Sequence, residues 1–270
     1  MIEQYKGNQH RVILPRADYR VQTLRDITAV ARAAAEACVT LAAQAKGEKR
    51  LFRVALAGGK TPKALYALLA SAEYRNRVDW DSVSFFFGDE RAVPPDHPDS
   101  NYRTANEALF RPLGLSESRI HRMKAEDGDL ETAAEAYESA LRSEFDDHIP
   151  HFDLVLLGMG PDGHTASLFP GNRALGEQKR WVTPVTDAPK PPPRRLTLTV
   201  PVLNAARYVL FMVTGADKAG ALREVLQGTA SPEQYPARLV RPGADRLEWL
   251  VDEAAGSGLD REGLCLKPLI

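Results

Sequence analysis

The stretch FDLVLLGMGPDGHTASLFPG, residues 152–171, places a glycine-rich turn directly after an apolar run. Gly158, Gly160 and Gly163 have the GxGxxG spacing of a dinucleotide-binding turn, and a preceding strand is what that motif requires. Such a site also needs a long helix that begins at the third glycine, because the amino end of this helix faces the pyrophosphate. The residues that follow therefore decide whether the fold serves a dinucleotide or another ligand.

The residues after the third glycine do not fit a dinucleotide site. Pro170 and Gly171 end any helix almost at once. Where an acidic ribose ligand should end the next strand, the chain is rich in proline, and Asp187 lies in a loop context. We therefore interpret the glycines as a tight turn that presents Asp162 and His164 at the end of a strand.

Short apolar runs alternate with amphipathic ones along the chain. The runs predicted as buried, largely parallel strands are FRVALA (52–57), VSFFF (83–87), FDLVLL (152–157), LTLTV (196–200) and YVLFMV (208–213). The predicted helices are an alanine-rich one capped by Asp26, KALYALLA (63–70), NYRTANEALF (101–110), LETAAEAYESALRSEF (130–145) and DKAGALREVLQ (217–227). This alternation predicts one α/β domain over residues 1–270, with a mostly parallel, open, Rossmann-like sheet covered by helices on both faces. Ligands of such sheets bind at the carboxyl ends of the strands.

Composition limits the classes of function. The 270 residues are 44% hydrophobic and 26% charged with a net charge of −1, which indicates a globular protein without a general attraction to nucleic acid or anionic membranes. The chain shows neither a signal-peptide pattern nor an apolar run near the length of a membrane span, so we expect a cytoplasmic protein. Cys38 and Cys265 lack metal-binding spacing. The sequence does not decide whether the two form a disulfide, and free thiols are expected.

A second strand-to-helix junction has the pattern of an anion site. In the stretch LFRVALAGGKTPKALYALLA the strand ends at Gly58 and Gly59, Thr61 is the expected N-cap, and Pro62 takes the first helical position. The glycines allow close approach of a phosphate, and the helix terminus offers N–H groups and a favourable dipole. GxxxxGK[ST] is absent, so a nucleoside triphosphate is not implied. The alternative is a plain turn with a capped helix.

A third block places charged side chains at a strand end. Asp89, Glu90 and Arg91 directly follow VSFFFG, where a carboxylate and a guanidinium would meet a polar substrate. The alternative is a surface ion pair. The nearby Asp96, His97 and Asp99 suggest a metal site less strongly than they suggest a helix start capped by Asp99 or Ser100.

Four blocks together resemble the 6-phosphogluconolactonase family, within the wider glucosamine-6-phosphate isomerase/deaminase superfamily. They are AGGKTP (57–62), FFFGDERAVPPDHPDSNYR (85–103), LLGMGPDGHTASLFPG (156–171) and RRLTLTVPVLNAARYVLFMVTGADKAGAL (194–222). Their order and spacing are far more specific than any one block. The resemblance implies a Rossmann-like fold of the type found in ribose-5-phosphate isomerases and CoA transferases. It implies a hydrolase of the oxidative pentose phosphate pathway that acts on a phosphorylated sugar lactone without metal or organic cofactor. We expect a monomer or small homo-oligomer without nucleic-acid or membrane partners.

The resemblance also implies roles for individual residues. The residues that resemble the family's phosphate site are Gly58, Gly59, Lys60, Thr61, Arg195 and Lys218. Arg194 is equally basic, and which arginine points inward stays open. His164 resembles the catalytic base, since an unperturbed imidazole with a pKa near 6.5 is available to take a proton from water at pH 7.

The mechanism implied by these roles is attack of water, activated by His164, on the lactone carbonyl. Arg91 and N–H groups of the turn at residues 158–163 are candidates to stabilise the oxyanion. Asp162 would orient the imidazole or bind sugar hydroxyls. Asp89 would orient Arg91 or bind hydroxyls.

Two other functions need discrimination. A sugar-phosphate deaminase of this superfamily has a glutamate five residues after the histidine and a tyrosine after the DE pair, where this chain has Phe169 and Arg91. A non-catalytic sugar-phosphate sensor would carry a DNA-reading module, for which the roughly 25 residues before the first helix are too few. We therefore expect the lactonase, with a glucosamine-6-phosphate deaminase/isomerase-type enzyme or a non-catalytic sugar-phosphate-binding protein as the alternatives.

Overall fold

The protein folds into two sheets. In the computed structural model, which describes residues 19–126, 128–243 and 246–260, a six-stranded sheet has the order β1-β9-β8-β5-β2-β3, and a three-stranded sheet has the order β4-β7-β6. The strands are β1 Arg20–Leu24, β2 Phe52–Leu56, β3 Val83–Phe87, β4 Asp89–Arg91, β5 Leu154–Leu157, β6 Val182–Val185, β7 Arg195–Leu198, β8 Val209–Val213 and β9 Leu247–Asp252. All pairs in the large sheet are parallel, and those in the small sheet are antiparallel.

Helices pack against these sheets. They are α1 Ile27–Gly47, α2 Lys60–Leu69, α3 Asn101–Ala105, a π-helical turn Asn106–Phe110, α4 Arg111–Leu113, α5 Leu130–Glu144, α6 Val200–Ala205 and α7 Ala219–Gln227. Helix α1 packs on α2 and on β9, whereas α5 packs on the small sheet. The predicted α/β class with a mostly parallel sheet is therefore confirmed. No helix among the described ranges is both long and apolar enough to cross a membrane.

The core lies along the central strands. Every residue of β3, β5, β8 and β9 is buried, which is the pattern of parallel strands covered on both faces. The rings of Phe211 and Trp249 stack at 3.7 Å between β8 and β9. Cys38 of α1 is buried and unbridged, and burial raises the pKa of its thiol to about 12. Cys265 lies outside the described residues.

One predicted strand runs in the other direction. The run LTLTV was grouped with the largely parallel strands, but β7 pairs antiparallel with both β4 and β6. A run that is apolar on both faces indicates burial without fixing direction. The chain between β6 and β7 is a single loop, residues 186–194, and only antiparallel neighbours can be joined by a connection that short.

The observed helix N-caps match the predicted ones at two helices and differ at a third. The Asp26 side chain accepts from the N–H of Ala29, and the Ser100 hydroxyl accepts from the N–H of Arg103, so both are N-caps as predicted. The prediction that Thr61 caps α2 is wrong, because Gly59 is the N-cap.

The start of α2 explains this difference. Gly59 has a φ of 104°, which lets the chain turn into the helix at Lys60 and puts Pro62 at the third helical position. The Thr61 hydroxyl lies 2.8 Å from the hydroxyl of Thr214, at the end of β8. This contact therefore links the start of α2 to the residue that follows β8.

Candidate active site

Three turns leave the large sheet at its carboxyl edge and surround a cleft. β2 leads to β3 on one side, whereas β5 leads to β8 on the other, so a crevice opens where the connections diverge. The cleft has a volume of about 350 Å³. Its lining includes Gly58 and Gly59 after β2, Gly158, Gly160 and His164 after β5, Lys218 after β8, and Asp89, Arg91 and Arg195 from the small sheet.

The β2–α2 turn presents main-chain groups to the cleft. A Cβ at Gly58 would lie 1.8 Å from Oδ1 of Asn101, so only glycine fits this close approach. The Lys60 side chain is exposed and the Thr61 hydroxyl is bonded elsewhere, so the main-chain N–H groups are what these two residues offer an anion at the start of the helix. The first N–H groups of a helix have no partner within it, and the dipole there favours negative charge.

The turn after β5 holds an imidazole and a carboxylate together. His164 Nδ1 lies 2.5 Å from Oδ1 of Asp162, and the imidazole stacks on the ring of Phe169 at 4.4 Å. A Cβ at Gly160 would lie 2.1 Å from His164 Nδ1, so this glycine is required by the pair. When the Nδ1–H of His164 donates a hydrogen bond to Asp162, the opposite nitrogen Nε2 is left to act as a base.

Electrostatics keep the Asp162 carboxylate ionised. Burial raises the pKa of Asp162, but the hydrogen bond from His164 and the charges of His164 and Lys190 outweigh it, so this pKa lies well below its usual range. A carboxylate that is ionised at neutral pH and bonded to Nδ1 fixes the ring and stabilises the imidazolium that forms when Nε2 takes a proton.

The small sheet brings two cations together. Arg91 and Arg195 are directly opposite each other in the pairing of β4 with β7, and both line the cleft. Arg195 is only 4% exposed, and burial lowers the pKa of its guanidinium, with the charge of Arg91 acting in the same direction. Like charges opposite each other in a sheet repel, so this pair favours an anion in the cleft. Arg194 is exposed and donates to the carbonyl of Gly128, so Arg195 is the arginine that points inward.

Comparison with known proteins places this chain in a family. The sequence profile described as glucosamine-6-phosphate isomerases/6-phosphogluconolactonase matches residues 25–249. The chain belongs to this family.

Individual relatives agree with the family match. A 6-phosphogluconolactonase of Synechocystis sp. is 44% identical over 226 residues, covering 82% of this chain and 91% of that protein. A 6-phosphogluconolactonase of Streptomyces coelicolor is 41% identical over 245 residues, covering 88% of this chain and 93% of that protein. The crystal structure of a 6-phosphogluconolactonase from Thermotoga maritima has a TM-score of 0.75 at 35% identity and covers 87% of this chain and 99% of that one. The resemblance carried by the four blocks is confirmed.

One member of the acidic pair at the start of β4, Glu90, stabilises the beginning of α3. Glu90 accepts hydrogen bonds from the N–H groups of Asn101 and Tyr102, both at 2.8 Å, and so caps α3. It is 3% exposed, and burial raises its pKa although these N–H groups lower it. The interpretation of the DER segment as a surface ion pair is therefore wrong.

Asp89 is fixed from two sides. One carboxylate oxygen accepts from the Ser167 hydroxyl at 2.7 Å, and the other accepts from the Asn101 side chain at 3.1 Å. Arg91 is oriented separately, because its guanidinium donates to the carbonyl of Asp99 at 2.7 Å. Asp89 therefore does not orient Arg91 directly, and of its two expected roles, contact with a ligand is the one that its place in the cleft supports.

Two N–H groups of the β5 turn are already used. The N–H of Gly160 donates to the carbonyl of His164, and the N–H of Gly163 donates to the carbonyl of Gly160. Neither is available to an oxyanion, so Arg91 is the stronger of the two predicted stabilisers. Residues 164–172 form turns and are followed by a 3₁₀ helix of four residues, Arg173–Gly176, so no long helix begins at Gly163 as a dinucleotide site would need.

Metal binding finds no support in the described ranges. No group of three or more histidine, cysteine, aspartate or glutamate side chains there is arranged to hold an ion. His97 Nδ1 accepts from the N–H of Asp99, so this imidazole serves the turn before α3.

Sequence reasoning missed three partners of the site. Asn101 and Ser167 hold Asp89, and Lys190 reaches Asp162 from the loop between β6 and β7. Asn101 stood inside a recognised block, and its position just after the helix cap was the available signal. A lysine within a proline-rich loop is ordinarily solvated, so nothing local pointed to Lys190.

Proposed function

We propose that this chain hydrolyses 6-phospho-D-glucono-1,5-lactone to 6-phospho-D-gluconate. One observation carries this proposal: a single cleft holds an imidazole oriented by a carboxylate and, beside it, a helix terminus accompanied by two cations. The first suits a water that must be activated, and the second suits a phosphate that must be held. The family membership and the names of the relatives support the same reaction.

The phosphate would bind where α2 begins. The Arg195 guanidinium and the Lys218 ammonium line the same cleft as Gly59, the N-cap of α2, and the N–H groups of Lys60 and Thr61 begin that helix. A phosphomonoester carries about −1.5 to −2 charges at neutral pH, which one helix terminus and two cations match. Held there, the phosphate fixes the lactone so that positioning contributes to the rate.

The ester would be opened by general base catalysis. His164 takes a proton from water through Nε2, and the water oxygen forms a bond to C1 of the lactone. The resulting oxyanion is stabilised by Arg91. Its collapse breaks the bond between C1 and the ring oxygen, and the imidazolium returns its proton to that oxygen, which becomes the C5 hydroxyl. Asp162 stabilises the imidazolium between these steps.

The environment of His164 favours hydrolysis over deamination. Phe169 stands where the related deaminases have a glutamate, and its ring is buried against the imidazole. An apolar ring provides no carboxylate to assist movement of a proton between carbons. It also shields one face of His164 from water, which supports the role of a single oriented base.

The test is the substitution His164→Ala, assayed by acid release from freshly prepared lactone. We expect turnover to fall about 10²–10⁴-fold, the usual contribution of a general base, while 6-phosphogluconate binds with similar affinity in calorimetry. His148→Ala is the matched control, because this exposed imidazole contacts only its own loop at the carbonyl of Asp146. Retained turnover in His164→Ala would remove the base from its role.

The same assays separate the alternative functions. A wild-type chain that binds 6-phosphogluconate without hydrolysing the lactone would be a sugar-phosphate-binding protein. Release of ammonia from glucosamine 6-phosphate would indicate the deaminase. Activity that persists with a chelator is expected, because the family resemblance implies a hydrolase that works without a metal.

A further inference from the structure

The loop between β6 and β7, residues 186–194, contributes to the lining of the cleft and is held in place by hydrogen bonds. Its first part is anchored where the Asn172 side chain donates to Asp187 at 2.7 Å, and the N–H of Ala188 donates to the carbonyl of Pro193 at 3.0 Å. The Arg195 guanidinium donates to the carbonyls of Pro192 and Lys190, at 2.9 and 3.0 Å. The prolines restrict the loop further, so Lys190 starts from a fixed position.

The Lys190 side chain reaches the pair that the mechanism uses. Its Nζ lies 3.3 Å from Oδ2 of Asp162, while Oδ1 of the same carboxylate is bonded to His164. One carboxylate therefore serves two partners, the imidazole on one oxygen and the ammonium on the other. Lys190 also lines the cleft, so the contact is at the site and not on a remote surface.

We propose that Lys190 is a positioning residue that acts through Asp162 to set the pH range in which His164 is a free base. The proposal rests on the proposed role of His164. The carboxylate of Asp162 favours the protonated imidazole, and the ammonium of Lys190 opposes this by offsetting part of the carboxylate charge. With Lys190 present, Nε2 stays unprotonated to lower pH while Asp162 still holds the ring.

Other charged groups surround this set and stay in place when Lys190 is replaced. Asp89, Arg91, Arg195 and Lys218 line the cleft, and Glu224 lies with Asp162 on the outer side of the turn. The Arg195 guanidinium lies over the Phe169 ring at 5.2 Å, and the His164 imidazole stacks on the same ring at 4.4 Å. Lys190 is thus the cation in direct contact with the second oxygen of Asp162.

The size of the effect is limited by solvent. The Lys190 side chain is 41% exposed, so water screens its charge. For a water-screened unit charge that is separated from the ring by one carboxylate, Coulomb's law predicts a displacement of the titration midpoint by about half a pH unit. Well below that midpoint, half a unit corresponds to an about threefold change in the fraction of free base.

The experiment measures the titration of His164 and the kinetics in parallel. Histidine ring signals are followed by NMR from pH 5 to 9, with His164→Ala identifying the signal, and kcat/KM is measured over the same range. In Lys190→Met we expect the midpoint and the acidic limb of the profile to move upward together by about half a pH unit. Lys190→Arg should restore the wild-type values. Lys179→Met is the control, because this exposed lysine does not line the cleft.

The two readouts keep this proposal distinct from the proposed function. If the NMR midpoint of His164 does not move in Lys190→Met, or moves to lower pH, the proposal is wrong whatever the kinetics show. If the midpoint moves and the kinetic profile does not, control by Lys190 stands and His164 is not the base. An equal shift in Lys179→Met would reduce the effect to net charge and overturn the proposal.

Discussion

The two sheets contribute to the cleft in different ways. The large parallel sheet supplies turns in which glycines let main chain and side chains approach closely, as at Gly58 and Gly160. The small antiparallel sheet supplies charged side chains whose positions follow from pairing, as with Arg91 opposite Arg195. The large-sheet turns depend on glycines that have no side chain, whereas the small sheet depends on charged side chains. The substitutions that damage each region should therefore be of opposite kinds.

This difference has a physical origin. The carboxyl ends of parallel strands all meet at one edge, so three connections must turn sharply within a small space. Antiparallel pairing instead sets residues face to face, and the opposite residues of β4 and β7 reach the cleft together. The large sheet thus shapes the cleft through its tight turns, and the small sheet sets the electrostatic potential in the cleft.

The largest effect is expected from adding one methyl group to the large-sheet turn. In Gly160→Ala the new Cβ would lie 2.1 Å from His164 Nδ1 and 2.4 Å from the Asp162 carboxylate. The pair must then separate, and we expect kcat to fall at least about 100-fold, as for loss of a general base. Circular dichroism and thermal unfolding establish whether the variant is folded.

Gly176→Ala is the control for this prediction. No atom lies within 4 Å of a Cβ built there, so it reports the general effect of replacing a glycine. A folded Gly160→Ala protein with near wild-type kcat would contradict the division between the two sheets. It would also remove the need for contact between Asp162 and His164.

Loss of a charge from the small sheet should act on binding. Arg195→Met removes one of the two cations proposed for the phosphate, and a charge-assisted hydrogen bond contributes about 1.5–3 kcal/mol. We therefore expect KM for the phosphorylated lactone to rise about 10- to 100-fold, with a much smaller change for the lactone that lacks the phosphate. Steady-state kinetics with both substrates measures this difference.

The neighbouring arginine provides the matched control. Arg194→Met should change KM less than about twofold, because Arg194 is exposed and its guanidinium donates to the carbonyl of Gly128. If KM rises equally for both lactones in Arg195→Met, the guanidinium acts by holding the loop at Pro192 and not through the phosphate.

The large sheet was the more predictable part. Its central strands are continuous apolar runs and its turns contain paired glycines, and both are local signals. The antiparallel direction of β7 was not predictable, because it depends on pairing with β4 and β6. Strand β9 was missed since its sequence, LEWLVD, includes two acidic residues that are nevertheless buried.

The site shows the same contrast. His164 and its glycine turn follow from spacing along the chain, as do Gly58 and Gly59. The choice between Arg194 and Arg195 depends on which residue faces Arg91 across the small sheet, and that is a matter of register. Lys190 depends on the path of a loop, which composition does not determine.

The smallest effect concerns two carboxylates whose pKa values are displaced in opposite directions. The pKa of Asp162, in the large-sheet turn, is lowered, chiefly by His164 and Lys190 against the effect of burial. Its contribution to stability is therefore complete above the unfolded pKa, near 3.9, and is lost as pH falls through the folded value. The pKa of Glu90, in the small sheet, is raised by burial. The folded state thus binds its proton more tightly, and stability decreases as pH rises from the unfolded pKa, near 4.3, through the folded value.

Urea unfolding of Asp162→Asn and Glu90→Gln between pH 2.5 and 7 tests both signs. The difference in stability between wild type and Asp162→Asn should shrink as pH falls below about 4, because the unfolded wild-type chain then takes up a proton that the folded carboxylate, with its lowered pKa, does not bind. The Glu90→Gln difference should move in favour of the variant as pH rises from about 4, since the amide cannot ionise. Only the pH dependence of each stability difference is compared, so a pH-independent destabilisation by either substitution does not affect the result. Parallel slopes in the two variants would mean that the two sheets place their carboxylates in equivalent electrostatic environments, and the contrast between them would then hold for geometry alone.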